Sequence, residues 1–390
     1  MDASENLLEN YIKVRQRSED HCEPLEKEDY IPQVESYASP PLWHLAHTTW
    51  FFEEMILKSF VPGYQEFNPQ FSFLFNSYYE ILGPRLARPR RGAITRPGVD
   101  EVYRYRAAID VAMQQLLSQA PAKELSPELN DLITLGLQHE QQHQELLLTD
   151  LKLAFSYNPT FPTYDENWQE HQPATSTGNW VSIDEGVYEV GYDGNGFCYD
   201  NEQGRHKSYI NACQLSQDLV SNEEFRLFID DGGYQTPSLW LSEGWDWCQA
   251  QQAKAPLYWQ QQEGQWWHFT LAGLQVVEDN TPVSHVNFYE ASAFAAWQGL
   301  RLPTEFEWEV ACSQFQWGQR WEWTQSAYSP YPGFAISDGA VGEYNGKFMV
   351  NQMVLRGASV MTTPHHSRPS YRNFFHSHFQ WQMTGLRLAK

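Results

Sequence analysis

Within the run 131–155, the heptapeptide His139-Glu140-Gln141-Gln142-His143-Gln144-Glu145 carries residues whose spacing can do chemistry. At about 100° per residue, histidines four apart stand on one helix face, one turn from each other, and can offer two imidazoles to one metal ion. On the same wheel Leu132 and Leu146 flank them, so the pair lies in an apolar, core-facing stripe. Two adjacent buried imidazoles need two partners, and one shared cation serves both. Glu145 falls about 200° from His143 and is expected off the metal. The string also spells H-E-x-x-H, the zinc-peptidase pattern, in which Glu140 would act as general base on a water.

A third ligand has to come from another element. The segment Trp43-His44-Leu45-Ala46-His47 through Glu53-Glu54 is helical in pattern, and spacing alone leaves His44, His47, Glu53 and Glu54 all open. Three neutral histidines on one face of an octahedron leave three adjacent positions free. That geometry suits ferrous iron, which must gather O2, a thiolate and a second substrate, while the bundle context and the lack of a substrate-strand edge weaken the zinc-peptidase reading.

Positioning such ligands falls to long amphipathic helices, which the pattern predicts over 7–17, 42–60, 99–119 and 129–155, with proline-containing breaks between them. A four-helix bundle can hold a metal between facing helices. Residues 156–179 turn to Asn, Pro, Thr, Gln and Ser without period and are expected to link two domains. Beyond Trp180 the segments are short and punctuated by Gly and aromatics, predicting irregular α+β structure with helices at 221–231 and 288–299. The expected architecture is therefore α+β in two domains: 1–155 helical, 156–179 linking, 180–390 mixed.

A formal net charge of −23 argues against nucleic acid and anionic membranes as partners, and Arg85, Arg88, Arg90 and Arg91 form a local basic exception. No stretch reaches the roughly 18 apolar residues that span a bilayer, and 1–17 has no apolar leader core. Five scattered cysteines without C-x-x-C speak against a disulfide framework. A cytoplasmic protein acting on small molecules is expected.

Several stretches resemble the ergothioneine-type sulfoxide synthases, which fuse a DinB-like four-helix domain to a formylglycine-generating-enzyme-like (C-type-lectin-like) domain. They are Trp43 through Glu53, Phe75-Asn76-Ser77-Tyr78-Tyr79-Glu80, His139 to Glu145, Arg301-Leu302-Pro303-Thr304-Glu305-Phe306-Glu307-Trp308-Glu309, Trp321-Glu322-Trp323-Thr324, Tyr371-Arg372-Asn373-Phe374-Phe375 and Gly385-Leu386-Arg387-Leu388. The resemblance implies that His47, His139 and His143 hold Fe(II), with His44 a structural neighbour. It further implies O2-dependent C–S bond formation between hercynine (Nα-trimethylhistidine) and a cysteine thiol, as an oxidoreductase step of ergothioneine biosynthesis.

Three needs of that chemistry find candidates. A neutral phenol, with a pKa of about 10, can donate a proton. Tyr78 and Tyr79 resemble the tyrosine pair of the cysteine-using branch, with Tyr328 and Tyr331 in reserve. A quaternary ammonium wants aromatic faces or oriented oxygens, and Gln142, Asn373 and Phe374 resemble the hercynine-binding positions. A carboxylate wants a guanidinium, for which Arg85, Arg88 and Arg91 stand ready. Phe375 replaces the acid of γ-glutamylcysteine-using members, which favours free L-cysteine. No cysteine follows Cys312, so formylglycine generation is not expected. His376-Ser377-His378-Phe379 departs from the family pattern and keeps a selenosugar-using selenoneine synthase as an alternative, beside the zinc hydrolase, a DinB-like thiol transferase and a non-catalytic binding module.

Overall fold

Four long helices occupy the N-terminal part: α1 (Leu7–Asp20), α2 (Pro41–Phe51), α3 (Val99–Gln119) and α4 (Pro127–Ser156). The computed structural model describes residues 7–77, 79, 83–119, 125–171, 177–336 and 345–390. The chain divides into two units, one holding residues up to Thr160 together with Thr362–His366, the other holding the remaining described residues.

In the first unit the helix starts follow local chemistry. Pro41 opens α2 at the first helical position, where a missing N–H costs nothing. Ser126 caps α4, its side chain accepting from the Leu129 N–H, with Pro127 next. All eleven residues of α2 are buried, so α2 is the central helix, packed on α3 and α4. Gly136 lets α4 approach it: a Cβ there would meet Phe52 Cε1 at 2.8 Å and Phe51 Cε1 at 2.9 Å. That close approach lies one turn before His139.

After α2 the helix widens into a π turn, Phe52–Leu57, before ending at Lys58–Phe60. Such turns are rare and re-aim side chains. Glu53 accepts from Tyr64 Oη at 2.9 Å, the Phe67 N–H at 2.7 Å and Tyr105 Oη at 2.5 Å. Glu54 pairs with Lys58 at 3.0 Å. Both acids left open by spacing are thus used as structural partners.

The second unit is built from short elements. Strands β1 (Trp180–Ile183), β4 (Cys213–Leu219) and β12 (Arg387–Ala389) form one antiparallel sheet, and β2 (Gly186–Val190) pairs with β3 (His206–Ile210). A meander joins β5 (Trp259–Gln262), β6 (Gln265–Thr270) and β7 (Gly273–Val276). The sheet β10-β9-β8-β11 uses Asn373–His376, Gln352–Gly357, Trp321–Ala327 and Thr384–Gly385 in that order. Helices Asn222–Asp230 and Phe288–Trp297 lie where the pattern placed them, each with a capping box. Residues 161–171 also pack in this unit, where the Leu271 carbonyl accepts from Tyr164 and Asp165 and the buried Glu170 accepts from the Leu271 N–H.

Most of the sequence motifs of this unit are framework. In Leu302-Pro303-Thr304-Glu305-Phe306-Glu307, Thr304 caps the helix Glu305–Ala311 and Glu307 completes the capping box. Buried Glu305 receives Arg372 at 2.8 Å and 3.0 Å, and buried Glu322 receives Arg387 at the same distances. Each such carboxylate is satisfied bidentately in the interior, where a lone charge would be costly. All five cysteines are free, and no helix among the described residues is long and apolar enough to cross a membrane.

Candidate metal centre

Helices α2 and α4 bring His47, His139 and His143 together. One ring nitrogen of each lies within 4.8 Å of the others, and among the described residues these three form the group able to hold a metal ion. His47 and His139 are buried, and His143 and its neighbour Gln142 are half-buried.

The hydrogen bonds decide which nitrogens point inward. His47 Nδ1 lies 2.6 Å from the Phe75 carbonyl, an acceptor only, so Nδ1 carries the proton and Nε2 keeps a lone pair. That Nε2 faces His139 Nε2 at 3.1 Å. His143 Nδ1 meets His44 Nδ1 at 2.9 Å, which leaves His143 Nε2 for the cluster. Burial pushes the His47 and His143 pKa values well below the usual imidazole value, with His139 adding to both, and it takes His139 down to about 3. All three rings are therefore neutral at pH 7, the form that ligates metal. The donor set fits a metal ion.

An aromatic stack supports this arrangement. The His47 ring lies between Trp43 at 4.4 Å and Trp50 at 5.6 Å, both within 15° of parallel. Arg91 covers the outer face of Trp43 at 3.3 Å and donates to Ser39 Oγ at 2.8 Å and Ser77 Oγ at 2.9 Å. The ring of Tyr79, which is fully buried, packs on Trp50 at 5.7 Å.

Glu140 takes no part in the cluster. Its carboxylate accepts from Arg15 at 3.0 Å, Arg106 at 2.7 Å and Ser18 Oγ at 2.6 Å. Although burial opposes ionisation, Arg106 and Arg15 bring its pKa down to about 2. A carboxylate bound by two buried guanidiniums on another face of α4 cannot serve as general base at the histidines. The zinc-hydrolase alternative fails on that geometry. Glu145, expected off the metal, accepts from Thr362 Oγ1 at 2.7 Å; Gln144 accepts from Thr363 at 2.7 Å, and Gln141 lies 3.2 Å from His366 Nδ1.

The other candidates are spread more widely. Tyr78 lies outside the described residues. Arg85 is half-buried and Arg88 exposed, while Arg91, expected to bind a substrate carboxylate, is buried in the Trp43 stack. In the second unit Phe374 stacks on Tyr328 at 4.1 Å and 9°, and the Asn373 side chain accepts from the Phe374 N–H at 2.9 Å. The Tyr331 hydroxyl donates to Glu305 at 2.9 Å, and the Tyr328 hydroxyl accepts from Asn201 at 2.9 Å. Burial raises the pKa of both.

Two supports escaped the sequence reading. Arg91 over Trp43 had no local signal. Asp150 had one: it sits two turns beyond His143, within about 20° of the same apolar stripe, where a carboxylate is out of place.

With this geometry in hand, residues 10–147 match the DinB superfamily and residues 166–320 match the sulfatase-modifying factor enzyme 1-like domain. The chain thus carries a match to each of the two domain types, in the order that the sequence resemblance implied. Along its length it is similar to a hercynine oxygenase of Mycolicibacterium smegmatis, 27% identical with 100% of this chain and 99% of that protein aligned. A hercynine oxygenase of Mycobacterium tuberculosis is also 27% identical, over 92% of each chain. The formylglycine-generating enzyme of Bos taurus is 28% identical over 36% of this chain and 42% of its own length.

Proposed function

We propose that this protein is a non-haem Fe(II), O2-dependent sulfoxide synthase that joins hercynine to L-cysteine. The observation that carries the reading is that His47, His139 and His143 each bring one ring nitrogen within 4.8 Å of the others, in a chain similar over its full length to a hercynine oxygenase. The bonds balance: the imidazole C–H and the thiol S–H are lost, a C–S bond and an S=O bond form, and the four electrons released reduce O2 to the sulfoxide oxygen and one water. Bound ferrous iron would supply O2 activation and positions open to thiolate and imidazole.

The chain's own residues have the remaining roles. His47, His139 and His143 hold the ion through Nε2-side lone pairs. The Trp43–His47–Trp50 stack fixes one ring and keeps water from its faces. The buried Tyr79 phenol, with Tyr78, holds the proton that completes oxygen reduction. Gln142, next to His143 in the sequence, orients hercynine, and Asn373 and Phe374 carry the hercynine-binding role that the resemblance implies. Arg85 and Arg88 meet the carboxylate of the thiol substrate, while Arg91 acts through Trp43. Phe375, half-buried against Trp381 at 5.5 Å, offers no charge to a second ammonium group, which favours cysteine over γ-glutamylcysteine.

The test is anaerobic Fe(II) loading, then hercynine, cysteine and O2, with mass spectrometry of the product. Hercynylcysteine sulfoxide is expected. Product from a selenosugar or γ-glutamylcysteine alone would reassign the donor, and turnover without O2 or iron would overturn the reading.

A further inference from the structure

The notable feature beyond the three candidate ligands is what stands behind His143. Asp150 Oδ2 lies 3.1 Å from His44 Nε2, and His44 Nδ1 lies 2.9 Å from His143 Nδ1. Asp150 and His44 are both buried, with side chains 4% and 3% exposed. A carboxylate only accepts, so His44 Nε2 carries its proton and His44 Nδ1 is an acceptor. His143 Nδ1 must then be the donor, which leaves the His143 Nε2 lone pair directed at the cluster. Each hydrogen bond fixes the next tautomer along the line.

The same Asp150 oxygen also accepts from the Ser39 N–H at 2.8 Å, just before α2 begins. One carboxylate therefore ties the start of the helix carrying His47 to the far end of the ligand stripe on α4. Its negative charge is also well placed at the N-terminus of α2.

The geometry points to Asp150 and His44 as positioning residues of the metal centre, a carboxylate–imidazole–imidazole relay that sets the tautomer and orientation of His143. Partners of this kind orient ligating histidines and raise their basicity, and losing one typically costs 10–100-fold in metal affinity. The inference rests on the metal reading of the three-histidine cluster and deepens it. It assigns His44 a specific task where the sequence marked it only as a neighbour.

The experiment measures Co(II) affinity of the full-length apoprotein by chelator competition and records the Co(II) d–d spectrum. His44→Phe and Asp150→Asn are each expected to weaken Co(II) binding by about 10–100-fold and to shift the d–d bands. His44→Asn restores an acceptor near the position of Nδ1 and is expected to recover most of the affinity; with Asp150→Asn, it carries the test should His44→Phe not fold. Because Asp150 reaches His143 only through His44, and an amide oxygen at position 150 can still accept from the Ser39 N–H, the double variant His44→Phe/Asp150→Asn should bind no more weakly than His44→Phe alone. Wild-type affinity and spectrum in both single variants, or fully additive losses in the double variant, would overturn the relay. Wild-type protein that fails to bind Co(II) or Fe(II) would instead overturn the metal reading beneath it.

Discussion

His47 and His139 present their Nε2 atoms to each other at 3.1 Å, while the other nitrogen of His47 is committed to the Phe75 carbonyl. Helix packing, closed up by Gly136, imposes this proximity, and burial keeps both rings neutral. A lone pair directed at a neighbouring imidazole, with a third imidazole close by, forms a cation site before any ion arrives.

His139→Ala should therefore abolish iron loading and turnover together. Outer hydrogen-bond partners of metal-ligating histidines are worth 10–100-fold in affinity, so removing the ring itself should cost more than ~100-fold. Metal analysis and an oxygen-consumption assay on the same preparation check this. Full activity in iron-free protein would sink it.

Glu140→Gln distinguishes a structural carboxylate from a catalytic one. The substitution leaves Arg15 and Arg106 buried beside a neutral amide, and breaking a buried ion pair costs about 3–5 kcal/mol. The folded variant should still load metal and turn over near the wild-type rate, with the loss seen in denaturant unfolding. A variant of wild-type stability whose turnover collapses would return Glu140 to the chemistry.

How much of this the sequence disclosed depends on the range of each interaction. His139 and His143 were readable because helical periodicity is local and the pair falls within one stripe. The zinc-peptidase reading of Glu140 failed because its partners, Arg15 and Arg106, come from two other helices far along the chain. The same distance hid Thr362, Thr363 and His366, which reach α4 from more than 200 residues away. No pattern announces the π turn after α2, since it is a packing response that delivers Glu53 to Tyr64 and Tyr105. In the second unit, helix caps such as Ser221 were visible locally, whereas pairings such as Glu322 with Arg387 depend on the sheet order.

Glu290 predicts a pH dependence of stability unrelated to the metal. It is fully buried and accepts from Tyr234 Oη at 2.6 Å, the Asn287 N–H at 2.8 Å and Gln380 at 2.8 Å, yet burial raises its pKa to about 7. A carboxyl whose folded pKa is raised binds its proton more tightly when folded. Its contribution is present in full below the unfolded value of about 4.5 and is lost as pH rises through about 7, a span worth about 3 kcal/mol. Glu290→Gln can keep all three hydrogen bonds, with its amide donating to Tyr234. The variant should lack that slope between pH 4.5 and 7 and be the more stable protein at pH 8. Parallel stability–pH profiles of variant and wild type would refute the assignment.

Tyr79 tests the proton donor. Its ring packs on Trp50, the residue that stacks on His47, and its backbone is pinned by Asn76, whose side chain accepts from the Tyr79 N–H at 3.1 Å and donates to the Tyr79 carbonyl at 2.9 Å. Replacing a phenol by phenyl removes one proton source and leaves the ring packing intact. A positioned general acid contributes about 10²–10⁴-fold. Whichever of Tyr78→Phe and Tyr79→Phe removes the true donor should lower sulfoxide formation by at least ~100-fold and divert the thiol towards oxidation on its own, with iron content unchanged. Product ratios by mass spectrometry, measured beside iron content, read the outcome. If both single variants and the double variant keep wild-type rate and product ratio, the proton comes from water and neither tyrosine belongs to the mechanism.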